Sequence, residues 1–231
     1  MKKLDEKDEN QMNSNKQKTG TMLTCIGIIV MVLLSLTQLA PQLRMAGYSV
    51  FVGVALFFIV EAVTKTPKEQ SGLRFKTFAA DIKKPGVLLW VLLPIVTGIL
   101  PLLLGDLIFD HGFSAHVLGR VDGMLTFDNI LLLVVQVIVL AMGEEIAWRG
   151  FFLGRSMQKL PFWLCAVFSS ILFAMGHIAD AGIWLLLYDL SFVFIDSMIF
   201  SVIYKKSGNC LVSTVSHIAG NAVGMLLCLF L

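Results

Sequence analysis

Hydrophobic residues fall in seven long blocks separated by short polar connections. A membrane-spanning helix needs about 20 mostly apolar residues. Residues 22–40, 47–64, 85–104, 127–148, 161–178, 183–204 and 209–231 approach or reach that length. The pattern predicts an all-α fold, a polytopic transmembrane helical bundle of about seven spans. Residues 1–20 are polar and mixed in charge, with Lys2, Lys3, Asp5, Glu6, Lys7, Asp8 and Glu9, and read as a solvated, disordered cytoplasmic tail. Residues 21–231 form the transmembrane domain. The stretch 65–84 alternates bases with Leu73, Phe75, Phe78 and Ile82, as an interfacial, partly helical segment does. The stretch 105–126 reads as a polar loop with short apolar interruptions. No internal repeat, second domain or cleavable signal peptide is evident, and the first block is long enough to stay as an anchor.

Composition agrees with lipid as the main solvent. Hydrophobic residues make up 57% of the 231 and charged ones 15%, with a mean hydropathy of +0.82. A soluble core of this size has no room for that much apolar surface. The four cysteines, Cys25, Cys165, Cys210 and Cys228, are scattered without metal-ligand spacing. The last four residues, from Cys228 to Leu231, spell a prenylation box, but a terminal apolar helix produces that string by chance. No nucleic-acid partner is expected.

Loop charge orients the chain. The tail carries five lysines, the second connection Lys65, Lys68, Arg74, Lys76, Lys83 and Lys84, the fourth Arg149, Arg155 and Lys159, and the sixth Lys205 and Lys206. The first and third carry one arginine each, Arg44 and Arg120, and the fifth none. Seven spans with the N-terminus cytoplasmic satisfy every connection.

Ionisable side chains inside spans cost several kcal/mol and mark function by default. The fourth block ends Gly143-Glu144-Glu145-Ile146-Ala147-Trp148-Arg149-Gly150. On a helix Glu145 and Arg149, four apart, can pair. Glu144 lies about 100° away and faces another neighbour. The fifth block ends Phe173-Ala174-Met175-Gly176-His177, and the seventh contains His217-Ile218-Ala219-Gly220-Asn221. His217 and Asn221 share a helical face, and Gly220 with Gly224 would let another helix approach closely. At 1.5 Å per residue Glu144 stands about 16 Å, His177 roughly 24 Å and His217 about 12 Å above the ends of their blocks on the basic side. Tilt can bring them level, in the cytoplasmic half. Asp189 and Asp196, seven apart in the sixth block, could pair with Arg149, line a cavity or orient a histidine. Glu61 reaches the cytoplasmic interface, and Trp148 reads as an interface anchor.

These three motifs, Glu144-Glu145-x-x-x-Arg149, Phe173-x-x-x-His177 and His217-x-x-x-Asn221, together resemble the signature of the CPBP family. That family comprises CAAX prenyl endopeptidases and bacteriocin-processing or immunity proteins, also called Abi. The resemblance covers residues 143–225. It implies an intramembrane glutamic endopeptidase with a cavity open to the cytoplasm. By motif, Glu144 would be the general base, His177 would hold and polarise water, and His217 and Asn221 would stabilise the oxyanion. Glu145, Arg149 and Phe173 would support them.

Spacing alone also admits zinc on Glu144, His177 and His217 with water in the fourth position. There is no HExxH, and the resemblance favours a site without cofactor. Implied partners are the bilayer and a peptide or lipid-anchored protein substrate, with a bacterial cell membrane as the location suggested by the short chain. Two other readings compete: a proton-coupled transporter, since buried acids and histidines also build relays, and a noncatalytic immunity or scaffold protein.

Overall fold

A computed structural model describes the backbone of residues 2–40, 42, 45–122, 124–228 and 230, and side chains of these residues except 2–10 and 13. Arg44, Leu229 and Leu231, which entered the charge pattern and the C-terminal string, lie outside the described residues. The described residues contain helices and no strand. The order is α1 (Lys2–Leu36), a 3-10 turn (Thr37–Leu39), α2 (Tyr48–Thr64), α3 (Phe78–Asp81), α4 (Val87–Ile108), α5 (Gly112–Val121) and α6 (Ile130–Glu145). A π-helix (Ile146–Leu153) continues α6, followed by α7 (Gly154–Ser156), α8 (Phe162–Met175), α9 (Ile183–Ser207) and α10 (Cys210–Cys228).

Five helical stretches are long and apolar enough to cross a membrane: Ser14–Leu39, Val87–Ile108, Ile130–Ser156, Ile183–Ser207 and Cys210–Cys228. Helices α2 and α8 are apolar but shorter, 17 and 14 residues. At 1.5 Å per residue α8 is about 21 Å long, less than the hydrocarbon thickness. All seven sequence blocks are therefore helical, and two are short. Leu107 (81% exposed), Trp184 (76%) and Leu131 (73%) illustrate an apolar outer face that only lipid can cover. The protein is an integral membrane protein with a helical bundle.

Three expectations change. The polar tail is helical, because α1 begins at Lys2 and runs unbroken into the first span. A helix already nucleated in the membrane propagates cheaply through Lys, Glu and Gln, all good helix formers. The stretch read as a loop holds the end of α4 and all of α5. Phe113 of α5 is buried beside Leu102 and Cys228, with Tyr188 against them, so tertiary packing sustains a ten-residue helix that is marginal alone. Trp148 is no interface anchor. Because the helix continues past it to Ser156, it lies 3% exposed in the core, its ring 5.5 Å from Phe152 and 6.1 Å from Phe173.

Helices α4 and α10 meet backbone to backbone. A Cβ on Gly98 would stand 2.8 Å from the Gly220 carbonyl oxygen, and one on Gly220 3.0 Å from that of Pro94. Only glycine permits that crossing. The Ser216 hydroxyl adds a 2.7 Å hydrogen bond to the Val91 carbonyl.

The basic connection between α2 and α4 folds over the start of α10. Asn209 donates to the Arg74 carbonyl (2.7 Å) and accepts from the Arg74 amide (3.1 Å). The Cys210 amide donates to the Gly72 carbonyl at 2.8 Å. Asp81 receives Arg74 (3.1 Å) and Lys84 (2.7 Å), and Lys84 also donates to the Ser207 carbonyl. Burial opposes a charge on Asp81, but donors from Lys84, Thr77, Asn209 and Arg74 outweigh it and hold the carboxyl down to about 2.

Candidate functional site

The fourth span divides its two adjacent carboxylates between two environments. Glu144 is partly exposed in a cavity, its side chain 24% accessible, whereas Glu145 is fully buried. This follows from the turn of about 100° between neighbouring helical positions. Arg149 lies four residues on, within the π-helix, and is itself buried. It donates to Glu145 Oε1 at 3.0 Å and to the Ser197 carbonyl (2.9 Å) and hydroxyl (2.7 Å) on α9. Its guanidinium stacks between Phe173 (4.8 Å to the centroid) and Phe200 (5.2 Å). A buried charge pair needs partners of this kind to survive desolvation; Arg149 has them on several sides, whereas Glu145 Oε2 accepts no hydrogen bond among the described residues. The sequence pointed to the ion pair; Ser197 and Phe200, distant in the chain and ordinary in type, carried no signal.

His217 projects from α10 into this cluster. Its Nδ1 donates to Glu145 Oε1 at 3.1 Å, which leaves Nε2 facing Glu144 Oε2 at 3.7 Å. The ring stacks on Phe200, with centroids 4.6 Å apart and planes at 22°. Glu145 thus fixes both the tautomer and the direction of the ring, as carboxylates do for working histidines. Asn221, one turn on, lies along the same cavity. His177 sits just beyond the end of α8, where Nδ1 donates to the Phe173 carbonyl at 2.8 Å and its ring lies 4.7 Å from that of Phe173. That bond places the proton on Nδ1 and leaves Nε2 able to accept one. Because α8 is short, its last turn and the irregular backbone after it fall within membrane depth. Such backbone is tolerated where it lines a cavity, and here Gln38 also donates to the Gly176 carbonyl at 3.2 Å.

Glu144, His177, His217 and Asn221, from three spans, all line one cavity of about 850 Å³. Trp148, Phe173 and Phe200 give it an aromatic floor. Asp189 and Asp196 line it too, but neither takes a hydrogen bond from Arg149. Asp189 is bound by His116 (3.1 Å) and Arg120 of α5, and Asp196 by Thr97 of α4. His116 and Arg120 also line the cavity; their four-residue spacing is visible in the sequence, but the glycines and polar residues around them point to a loop. Glu61 accepts from Ser71 at 2.9 Å, apart from the cavity.

The mouth departs from expectation. Apart from Leu140 on α6 and Asn221 on α10, the exposed lining residues lie around Gly47, Gly119, Met124 and Asp180, and the basic connections contribute none. The cavity therefore opens on the side opposite the lysine-rich connections. Among the described residues no three His, Cys, Asp or Glu side chains are grouped to hold one ion.

Comparison with known proteins adds a family likeness over part of the chain. Residues 126–223 match the model described as type II CAAX prenyl endopeptidase, Rce1-like, which contains all three motifs. No curated protein and no solved structure matches the chain.

Proposed function

From the match of residues 126–223 to the model described as type II CAAX prenyl endopeptidase, Rce1-like, we propose that this chain hydrolyses peptide bonds within the membrane, with Glu144 as general base. The observation that carries the proposal is the convergence of Glu144, His177, His217 and Asn221 on one cavity. Glu144 takes a proton from water, whose oxygen bonds to the scissile carbonyl carbon. His177 Nε2 accepts a hydrogen bond from that water and directs its lone pair. The oxyanion forms beside His217 Nε2 and the Asn221 amide, donors suited to the negative charge that develops there. Glu145 and Glu144 flank the two nitrogens of His217. Glu144 returns its proton to the leaving amine as the C–N bond breaks, giving a carboxylic acid and an amine. Glu145 and Arg149 position His217 without touching substrate. The substrate is a peptide or a membrane-anchored protein segment.

The test uses purified protein and its Glu144→Ala and His177→Ala variants, each incubated with a peptide library in detergent. Wild-type cleavage lost from both variants supports the proposal. Equal cleavage by all three would refute this site. Proton flux in liposomes abolished by the same changes would favour transport instead.

A further inference from the structure

Two independent features give the cavity a direction. Fifteen of the eighteen lysines and arginines fall in residues 2–18, 65–84, 155–159 and 205–206, at or beside one set of helix ends; of the other three, Arg149 is buried, Arg44 is outside the described residues and Arg120 lies in α5. Basic connections stay in the cytoplasm. None of the cavity's exposed lining residues comes from the basic connections: Leu140 and Asn221 lie on α6 and α10, and the others gather at the opposite ends, with Gly119 and Met124 beside the third connection and Asp180 in the fifth.

The cytoplasmic end is closed. Below Trp148 and Phe173 lie Phe151, Phe152 and Leu153, each at most 1% exposed. Beneath them the Arg74–Asp81–Asn209 network ties the basic connection onto α10. A peptide from the cytoplasm would have to break both layers, whereas one from the other side meets an open mouth.

We infer that the cavity is loaded from the extracytoplasmic face, so that its substrate is an exported peptide or a protein segment presented outside the cytoplasm. A prenylated C-terminus, made in the cytoplasm, would meet the closed side. The substrate statement rests on the hydrolase reading above; the direction of access does not.

Cysteine labelling tests direction without needing activity. In a Cys25→Ala background, which removes the exposed native thiol, Gly119→Cys is placed on the cavity wall, where a Cβ meets nothing within 4 Å. Met124→Cys, at a 58% exposed position, repeats the probe at the mouth, and Lys68→Cys reports the basic connection. A membrane-impermeant maleimide is added to intact cells and to inside-out vesicles. In intact cells Gly119→Cys and Met124→Cys should label at least ten-fold faster than Lys68→Cys, and the order should reverse in inside-out vesicles. Faster labelling of Lys68→Cys in intact cells, or equal labelling of all three, overturns the inference. If Gly119→Cys fails to fold, Met124→Cys decides alone. Loss of all peptidase activity with labelling as expected would refute the hydrolase reading and leave the direction of access standing.

Discussion

Adding one methyl group at Gly98 should damage the site from the far side of α10. The Ala Cβ would lie 2.8 Å from the Gly220 carbonyl oxygen, and relief to an ordinary 3.4 Å contact requires α4 and α10 to part by about 0.6 Å. Gly220 lies between His217 and Asn221 on α10, so both proposed oxyanion donors move with it. The 3.1 Å bond from His217 to Glu145 is then shifted by up to about 0.6 Å, enough to spoil its geometry. A displacement of 1 Å in a reacting geometry can cost about 100-fold in rate, so about 0.6 Å should cost on the order of 10-fold or more. Overpacking of this kind costs about 1–3 kcal/mol in stability. The control is Gly224→Ala, whose Cβ would make only an ordinary 3.5 Å contact with the Gly98 carbonyl oxygen. Peptide cleavage and thermal unfolding in detergent are measured for both. Gly98→Ala should lose kcat and melt lower, while Gly224→Ala stays near wild type. Equal behaviour of the two variants would refute the claim that this crossing sets the donors.

Further expectations concern charge and metal. Glu145→Gln leaves Arg149 buried without its counter-charge, which should cost about 3–5 kcal/mol by thermal unfolding; adding Arg149→Met to the same chain should recover part of it. The carboxyl of Asp81 titrates near 2 when folded against 3.8 ordinarily, so its contribution is complete above about pH 4–5 and is lost as pH falls toward 2. The loss is about 2 kcal/mol, and Asp81→Asn should flatten the acid limb of a melting-temperature profile. Dialysis against a chelator should leave peptide cleavage unchanged; activity lost and restored by zinc would replace the glutamate mechanism with a metal one.

Much of this was legible in the sequence because lipid imposes a simple rule: long apolar runs become helices, and ionisable groups among them need partners. The seven blocks and the Glu145–Arg149 pair followed from that rule alone. Helix α5 did not, because Gly112, Gly119 and its polar residues mask an amphipathic helix that depends on packing of Phe113. The extension past Trp148 was hidden for a different reason. Arg149 looks like a helix end until Ser197 and two aromatic rings are known to receive it. The direction of the cavity was out of reach for the same kind of cause. Depth counted along single helices ignores the fold of residues 65–86 across one end, which closes the side that counting had favoured.

The central claim is that Glu144 activates water in the cavity. Glu144→Gln keeps the volume and removes the base, and with only 24% of the side chain exposed the change should leave folding intact. Turnover of a peptide cleaved by the wild type is compared with that of the variant, with unfolding measured alongside. The expected result is a loss of about 100-fold or more in kcat with an unchanged melt. Turnover within a few-fold of wild type by a folded Glu144→Gln protein would contradict it.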